Sequence, residues 1–157
     1  MGTKSKTTNG DTGLLTDNSK TSWATQIGYT QPQYAVSAIV NLKYNGWTDG
    51  YLHTAAADDA VTGGDGNHTA YGLRGWWRPT ETGTATPSIS LGYDSTVWDG
   101  ADAVDDTSNM WFAGFTWQDI FQADDRVGLA LGQPTTNEDE STVDPFAYEF
   151  YYSFKSK

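Results

Sequence analysis

The residues of this chain best suited to chemistry are isolated charges set among small side chains. Lys43, Arg74 and Arg78 lie on the side of their runs where the alternate residues are mostly Gly, Ala, Ser or Asn, with Trp76 between the two arginines, and Glu149 holds a comparable place in the last run. Fixed charges along a water-filled passage bias which ions pass, and cations favour anions. Arg78, next to Pro79, also suits a rim position from which its head reaches water. Glu149 is the only acid within its run and is a candidate partner for an arginine across a sheet.

A second set is acidic. Stretches 45–67, 94–108 and 133–145 carry Asp and Glu but no Lys or Arg. Asp58, Asp59, Asp65, Asp105 and Asp106 offer oxygen ligands suited to Ca²⁺. No stretch matches a twelve-residue calcium loop, so solvated acidic loops are the plainer reading. Catalysis finds little support. Asp119 and Glu149 have no spacing that marks a glycosidase pair, and no nucleophile elbow is present. With no Cys and only His53 and His68, thiolate chemistry, Cys-ligated metals and a three-histidine zinc site are excluded. Asn67-His68-Thr69 fits a glycosylation acceptor. The expectation is no enzyme, no cofactor and no bound metal.

The elements that must hold these charges follow from composition and period. The 157 residues carry 9 Lys plus Arg against 20 Asp plus Glu, a net charge of −11. That excludes a phosphate-binding basic face, so no nucleic-acid partner is expected, nor a polybasic lipid anchor. Aromatic residues make up 14%, charged residues only 18%, and Gly numbers 17, which describes a β-rich chain. No run of about 18 apolar residues exists to cross a membrane as a helix. No apolar stretch follows the basic Met1–Asn9 segment, so no signal peptide is expected in this chain.

From Ser22 onward the apolar period is two. Trp23, Thr25, Ile27 and Tyr29 alternate with Ala24, Gln26, Gly28 and Thr30; after Pro32, Tyr34 to Tyr44 alternate in the same way. Further runs cover Thr69–Arg78, Pro87–Tyr93, Trp111–Trp117, Val127–Gly132 and Phe146–Phe154. Helix is poorly supported, because the only Ala-rich patch, Ala55–Ala60, is short and ends at Gly63 and Gly64. Residues 1–21 read as a flexible polar lead-in, with a short strand within them as the alternative, and 22–157 as one β unit of seven or eight strands. Gln118–Asp125 reads as a turn, with room for a bulge around Ile120 and Phe121.

In each run one side is ring-bearing and aliphatic, the other small or polar, and the connections alternate short and long. That pattern predicts an all-β, antiparallel, transmembrane-type barrel or partial barrel with its apolar band toward lipid. Trp23, Tyr34, Tyr44, Trp77, Tyr93, Trp111, Trp117, Phe146 and Phe154 fall near strand ends, where an aromatic girdle sits at headgroup level. The competing reading is a soluble all-β structural or binding protein, perhaps associated with a virion, whose ring-bearing face packs on another layer.

Six segments resemble the porins of cyanobacterial outer membranes, the carbohydrate-selective or iron-uptake type. They are Ser22–Tyr29, Gly72–Pro79, Pro87–Tyr93, Trp111–Asp119, Gly128–Pro134 and Asp144–Glu149. The resemblance spans residues 11–155 in unbroken order. It implies outer-membrane localisation and passive diffusion of small hydrophilic solutes or ions. It also implies contact with membrane lipid, and a homo-oligomer or the remainder of a larger barrel as partner. Family members are longer, with a signal peptide, an envelope-anchoring domain and a coiled coil ahead of the barrel. This chain would match a barrel segment only, as a fragment, a truncated copy or one carried by a phage.

Overall fold

The computed structural model describes residues 2–4, 19–45, 67–99, 107–137 and 145–155. They form β1 (Gly2–Lys4), β2 (Lys20–Thr30), β3 (Tyr34–Tyr44), β4 (Asn67–Trp77), β5 (Ser88–Asp99), β6 (Thr107–Gln118), β7 (Arg126–Asn137) and β8 (Ala147–Ser153). The strands lie side by side in chain order in one antiparallel sheet. Among the described residues β8 pairs with β7 alone, so the sheet is open. The all-β fold expected from the alternation is therefore present in its unclosed form.

Rings and β-branched side chains suit a pleated backbone, and here the pairing puts most of them on one side, with Ile39, Trp76, Phe112 and Tyr151 on the other. Tyr29 pairs with Val36, Val36 with Gly75, Gly75 with Leu91, Leu91 with Ala113, Ala113 with Leu131 and Leu131 with Tyr148. The adjacent row on the opposite face runs Gly28, Ser37, Arg74, Gly92, Phe112 and Gly132. A register slip of one residue in any strand would exchange the two sets.

The sheet is a single layer. Among the described residues only Asp125 and Ser19 have side chains less than 2% exposed, and neither is apolar. Val36, Leu73 and Leu91 are 54%, 57% and 53% exposed in mid-strand. Among the described residues nothing packs on the apolar face, and it is far wider than the patches monomeric soluble proteins usually show.

Four sequence expectations change. Residues Gly2–Lys4 of the expected lead-in pair with Lys20–Ser22, so the sheet reaches into that segment; β2 itself starts at Lys20 rather than Ser22. β5 runs on to Asp99 and β7 to Asn137, so Asp94 and Gln133 belong to strands rather than to the loops 94–108 and 133–145. Polar side chains there do not stop backbone pairing, which needs only N–H and C=O groups. The turn expected over Gln118–Asp125 is present between β6 and β7, but the register shift falls between Asn109 and Trp111 rather than around Ile120 and Phe121. There Pro134 and Thr135 stand opposite Met110 alone; Pro134 has no N–H to give the ladder, which makes it a natural bulge site. Asp58, Asp59, Asp65, Asp105, Asp106 and Ala55–Ala60 lie outside the described residues.

The turns between β2 and β3, β4 and β5, and β6 and β7 share one rim and are tied together. The Gln31 N–H donates to Tyr34 O at 2.7 Å, and the Arg78 N–H to Gln33 O at 2.8 Å. The Gly83 N–H, at φ 71°, donates to Gln118 O at 2.8 Å. In the β6–β7 turn the buried Asp125 carboxylate accepts from the N–H groups of Ile120, Phe121 and Gln122 at 2.9–3.1 Å and from the Tyr152 hydroxyl at 3.2 Å.

Candidate functional site

The ring-bearing face carries two aromatic belts. Toward the turn rim lie Tyr29, Tyr34, Trp77, Trp117 and Tyr152; toward the other rim lie Trp23, Tyr44, Tyr71, Tyr93, Trp111 and Phe146. Between them stand Ile27, Val36, Ala38, Val40, Leu42, Leu73, Gly75, Ile89, Leu91, Ala113, Leu129 and Leu131, with Thr25 the only polar side chain among the described residues of this band. On β4 and β6 the belts are six residues apart (Tyr71 to Trp77, Trp111 to Trp117), and on β3 ten (Tyr34 to Tyr44). At about 3.3 Å per residue these spans are about 20–33 Å along a strand, which brackets the ~25 Å apolar band of membrane barrels.

The belts run obliquely to the paired rows. Relative to the Tyr29–Tyr148 row, the loop-side ring lies six residues away on β2 (Trp23), eight on β3 (Tyr44), four on β4 (Tyr71) and two on β5, β6 and β8 (Tyr93, Trp111 and Phe146). The turn-side ring drifts in the same sense, from two residues beyond the row at Trp77 to four at Trp117 and Tyr152. Between β2 and β8 each belt drifts four residues across six strand spacings of ~4.8 Å, which corresponds to strands inclined about 25° from the perpendicular to the belts. Membrane barrels incline theirs by about 35–45°.

The polar ends of the rings turn toward the nearer rim. The Trp117 indole N–H donates to Ala85 O in the β4–β5 turn at 2.9 Å, and the Tyr152 hydroxyl reaches Asp125 in the β6–β7 turn. At the other belt the Tyr93 hydroxyl donates to Asn109 Oδ1 at 2.9 Å, one pair nearer the loops. The Trp111 N–H instead bonds sideways to Gln133 Oε1 at 3.2 Å. Of the girdle residues expected from sequence, Tyr93 and Trp111 lie inward of the strand end because β5 and β6 run further than anticipated. Phe154 follows β8 and stacks on Tyr152 with ring centroids 5.5 Å apart. Tyr29, Tyr71 and Tyr152 complete the belts and were legible from the same alternation.

The opposite face holds the charges. Arg74 lies across from Gly92, and Asp94 across from Gly72, so the two charged side chains are diagonal neighbours over glycines. The Arg74 Nη2 pairs with Asp94 Oδ2, and Nη1 donates to Leu73 O at 2.9 Å and Tyr93 O at 3.2 Å. The guanidinium also lies over the Phe112 ring, 5.5 Å from its centroid, where the ring quadrupole attracts a cation. Glycine makes room for this cluster: a Cβ on Gly92 would run into the Phe112 ring, and one on Gly72 into the Asp94 carboxylate and Ile39.

The remaining candidates lie apart from it. Lys43 is half-buried at the loop end of the same face, opposite His68. Arg78 follows β4 at the turn rim, where its Nε–H donates to Pro32 O at 2.8 Å and its guanidinium lies 5.5 Å from the Trp76 ring centroid. Glu149 is exposed on β8 opposite Ala130, three strands from β5; the partner of Arg74 is Asp94. An open, polar cleft of about 590 Å³ lies at the turn rim, lined by residues including Gln33, Arg78, Glu81, Thr116 and Gln118.

Asp119, at the β6–β7 turn, has its pKa lowered by a side-chain hydrogen bond from Thr82 and by the Asp124 N–H, which donates at 2.7 Å; these outweigh an opposing cost of desolvation, and the charge of Arg126 adds least. Asp119 and Glu149 share no cleft. Among the described residues no three His, Cys, Asp or Glu side chains are grouped to hold a metal ion. Comparisons with protein-family models, curated proteins and solved structures give no match.

Proposed function

We propose that this sheet is part of the wall of an outer-membrane pore through which small hydrophilic solutes or ions, sugars among them, diffuse passively. The observation that carries the reading is the pair of aromatic belts bounding an uncovered apolar band, with ring N–H and O–H groups directed to the rims. A bilayer supplies what such a face needs: hydrocarbon against the aliphatic band and headgroups against the rings. The glycine-rich face, with its few charges, then lines the water. The resemblance to cyanobacterial porins points the same way.

Closure of the wall follows a parity rule. Unpaired backbone groups cannot be left in hydrocarbon. β2 and β8 run in the same direction, since successive strands alternate. Joining them through antiparallel pairs therefore takes an odd number of further full-length strands, which gives the even total usual in bacterial barrels. β1 has the required direction but covers only Lys20–Ser22 of β2. The missing strands would come from the remainder of a larger barrel or from a second copy.

Reconstitution tests the reading. The protein should need detergent or lipid to stay dispersed and should give discrete conductance steps in a planar bilayer. A monodisperse protein in plain buffer, silent in the bilayer, would favour the soluble all-β alternative, with the ring-bearing face covered by a protein partner.

A further inference from the structure

We infer that Asp94 sets the charge preference of this stretch of wall by cancelling Arg74. The inference rests on the pore reading above. Taken alone, Arg74 would mark an anion-favouring surface, since it stands on the water-lining side in a row with no other charged side chain. Its row is Gly28, Ser37, Gly92, Phe112 and Gly132. Asp94 changes that sign. Its carboxylate grips the guanidinium from the adjacent strand, and the pair remains partly open, with side chains 41% and 29% exposed.

The pair is held in place by more than its own attraction. Two backbone carbonyls and the Phe112 ring fix the guanidinium, and the bare backbone at Gly72 and Gly92 lets both side chains lie flat on the sheet. A flexible surface pair would spend part of its time open. This one presents a dipole along the wall with no net charge. Passing ions of either sign meet no fixed monopole at these rows, and removing either partner exposes the other.

The test uses the full-length protein in planar bilayers under a potassium chloride gradient, with the reversal potential as readout. Asp94→Asn should raise the chloride-to-potassium permeability ratio, and Arg74→Gln should lower it, each by about twofold or more. The double variant should return close to the unmodified protein, because both monopoles are gone. Arg74→Lys keeps the charge while losing the planar fork, so it should stay near the unmodified value and serves as a check on folding. Matching reversal potentials in all four channels would overturn the inference and leave the pore standing. Shifts of the same sign from both single variants would overturn it as well. Absence of conductance from the unmodified protein would remove the pore reading, and the inference with it.

Discussion

Leu73 and Arg74 are adjacent in the chain yet occupy opposite faces with opposite demands. Around Leu73 stand Ala38 and Tyr93, part of an apolar band over which no described residue forms a second layer. Around Arg74 stand Ser37 and Gly92, and its charge is met by Asp94 and Phe112. In a soluble sandwich one face packs against a partner sheet and the other meets water. Here the greasy face is the broad uncovered one, and the polar face owes its order to glycines that let large side chains lie down. On the pore reading proposed above, the sheet is organised around two media rather than around a core.

The strongest way to break that comparison is to put a charge on each face in turn. Leu73→Lys, at the middle of the band, should cost about 2–4 kcal/mol in lipid, the range for a basic residue at the bilayer midplane. Ser37→Lys, its near neighbour on the other face, should cost much less. Urea titrations of the protein refolded into vesicles, followed by tryptophan fluorescence, measure both, and equal costs would show that the faces see one environment.

Most of the sheet was legible because a period of two is a local property. Trp23 to Tyr29 and Tyr34 to Tyr44 needed only Pro32 between them to be read as a hairpin, and the observed register joins them as the alternation requires. The Arg74 partner was not legible. Asp94 is 20 residues away in sequence, and only the register of β4 with β5 brings the two together. Asp94 sits beside Ser95 and Thr96, whose polarity imitates a loop while the backbone continues the ladder. Glu149 was the alternative offered by sequence because it stood alone in an apolar run; its strand proves to be at the sheet edge. The bulge at Asn109 and Trp111 depends on where Pro134 falls against β6, again a matter of register.

The turn rim sharpens the comparison with smaller effects. Asp125→Ala would leave three backbone N–H groups and the Tyr152 hydroxyl without their acceptor. A loss of about 1–3 kcal/mol is expected from such unsatisfied groups, measured by the same titration. Trp117→Phe keeps the ring and deletes the donor to Ala85 O. It should cost about 1 kcal/mol and leave the band intact. The smallest expected effect is on pH. The depressed pKa of Asp119 means that its contribution to turn order is present above the ordinary carboxylate value. It is lost as pH falls through the lowered one, so hydrogen exchange at the Asp124 amide should quicken only in strong acid once corrected for intrinsic rates. A midpoint at or above the ordinary value would contradict that assignment.

The absence of native cysteine makes the central claim open to direct measurement. Single variants Val36→Cys, Leu73→Cys and Leu91→Cys can be compared with Ser37→Cys, Arg74→Cys and Ser90→Cys after spin labelling in lipid vesicles. Collision rates with oxygen and with a water-soluble nickel complex then report the medium at each label. The account predicts oxygen-rich, nickel-poor environments for the first three and the reverse for the second three, alternating residue by residue along each strand. Equal nickel access at all six positions, or an alternation of the opposite sense, would contradict it.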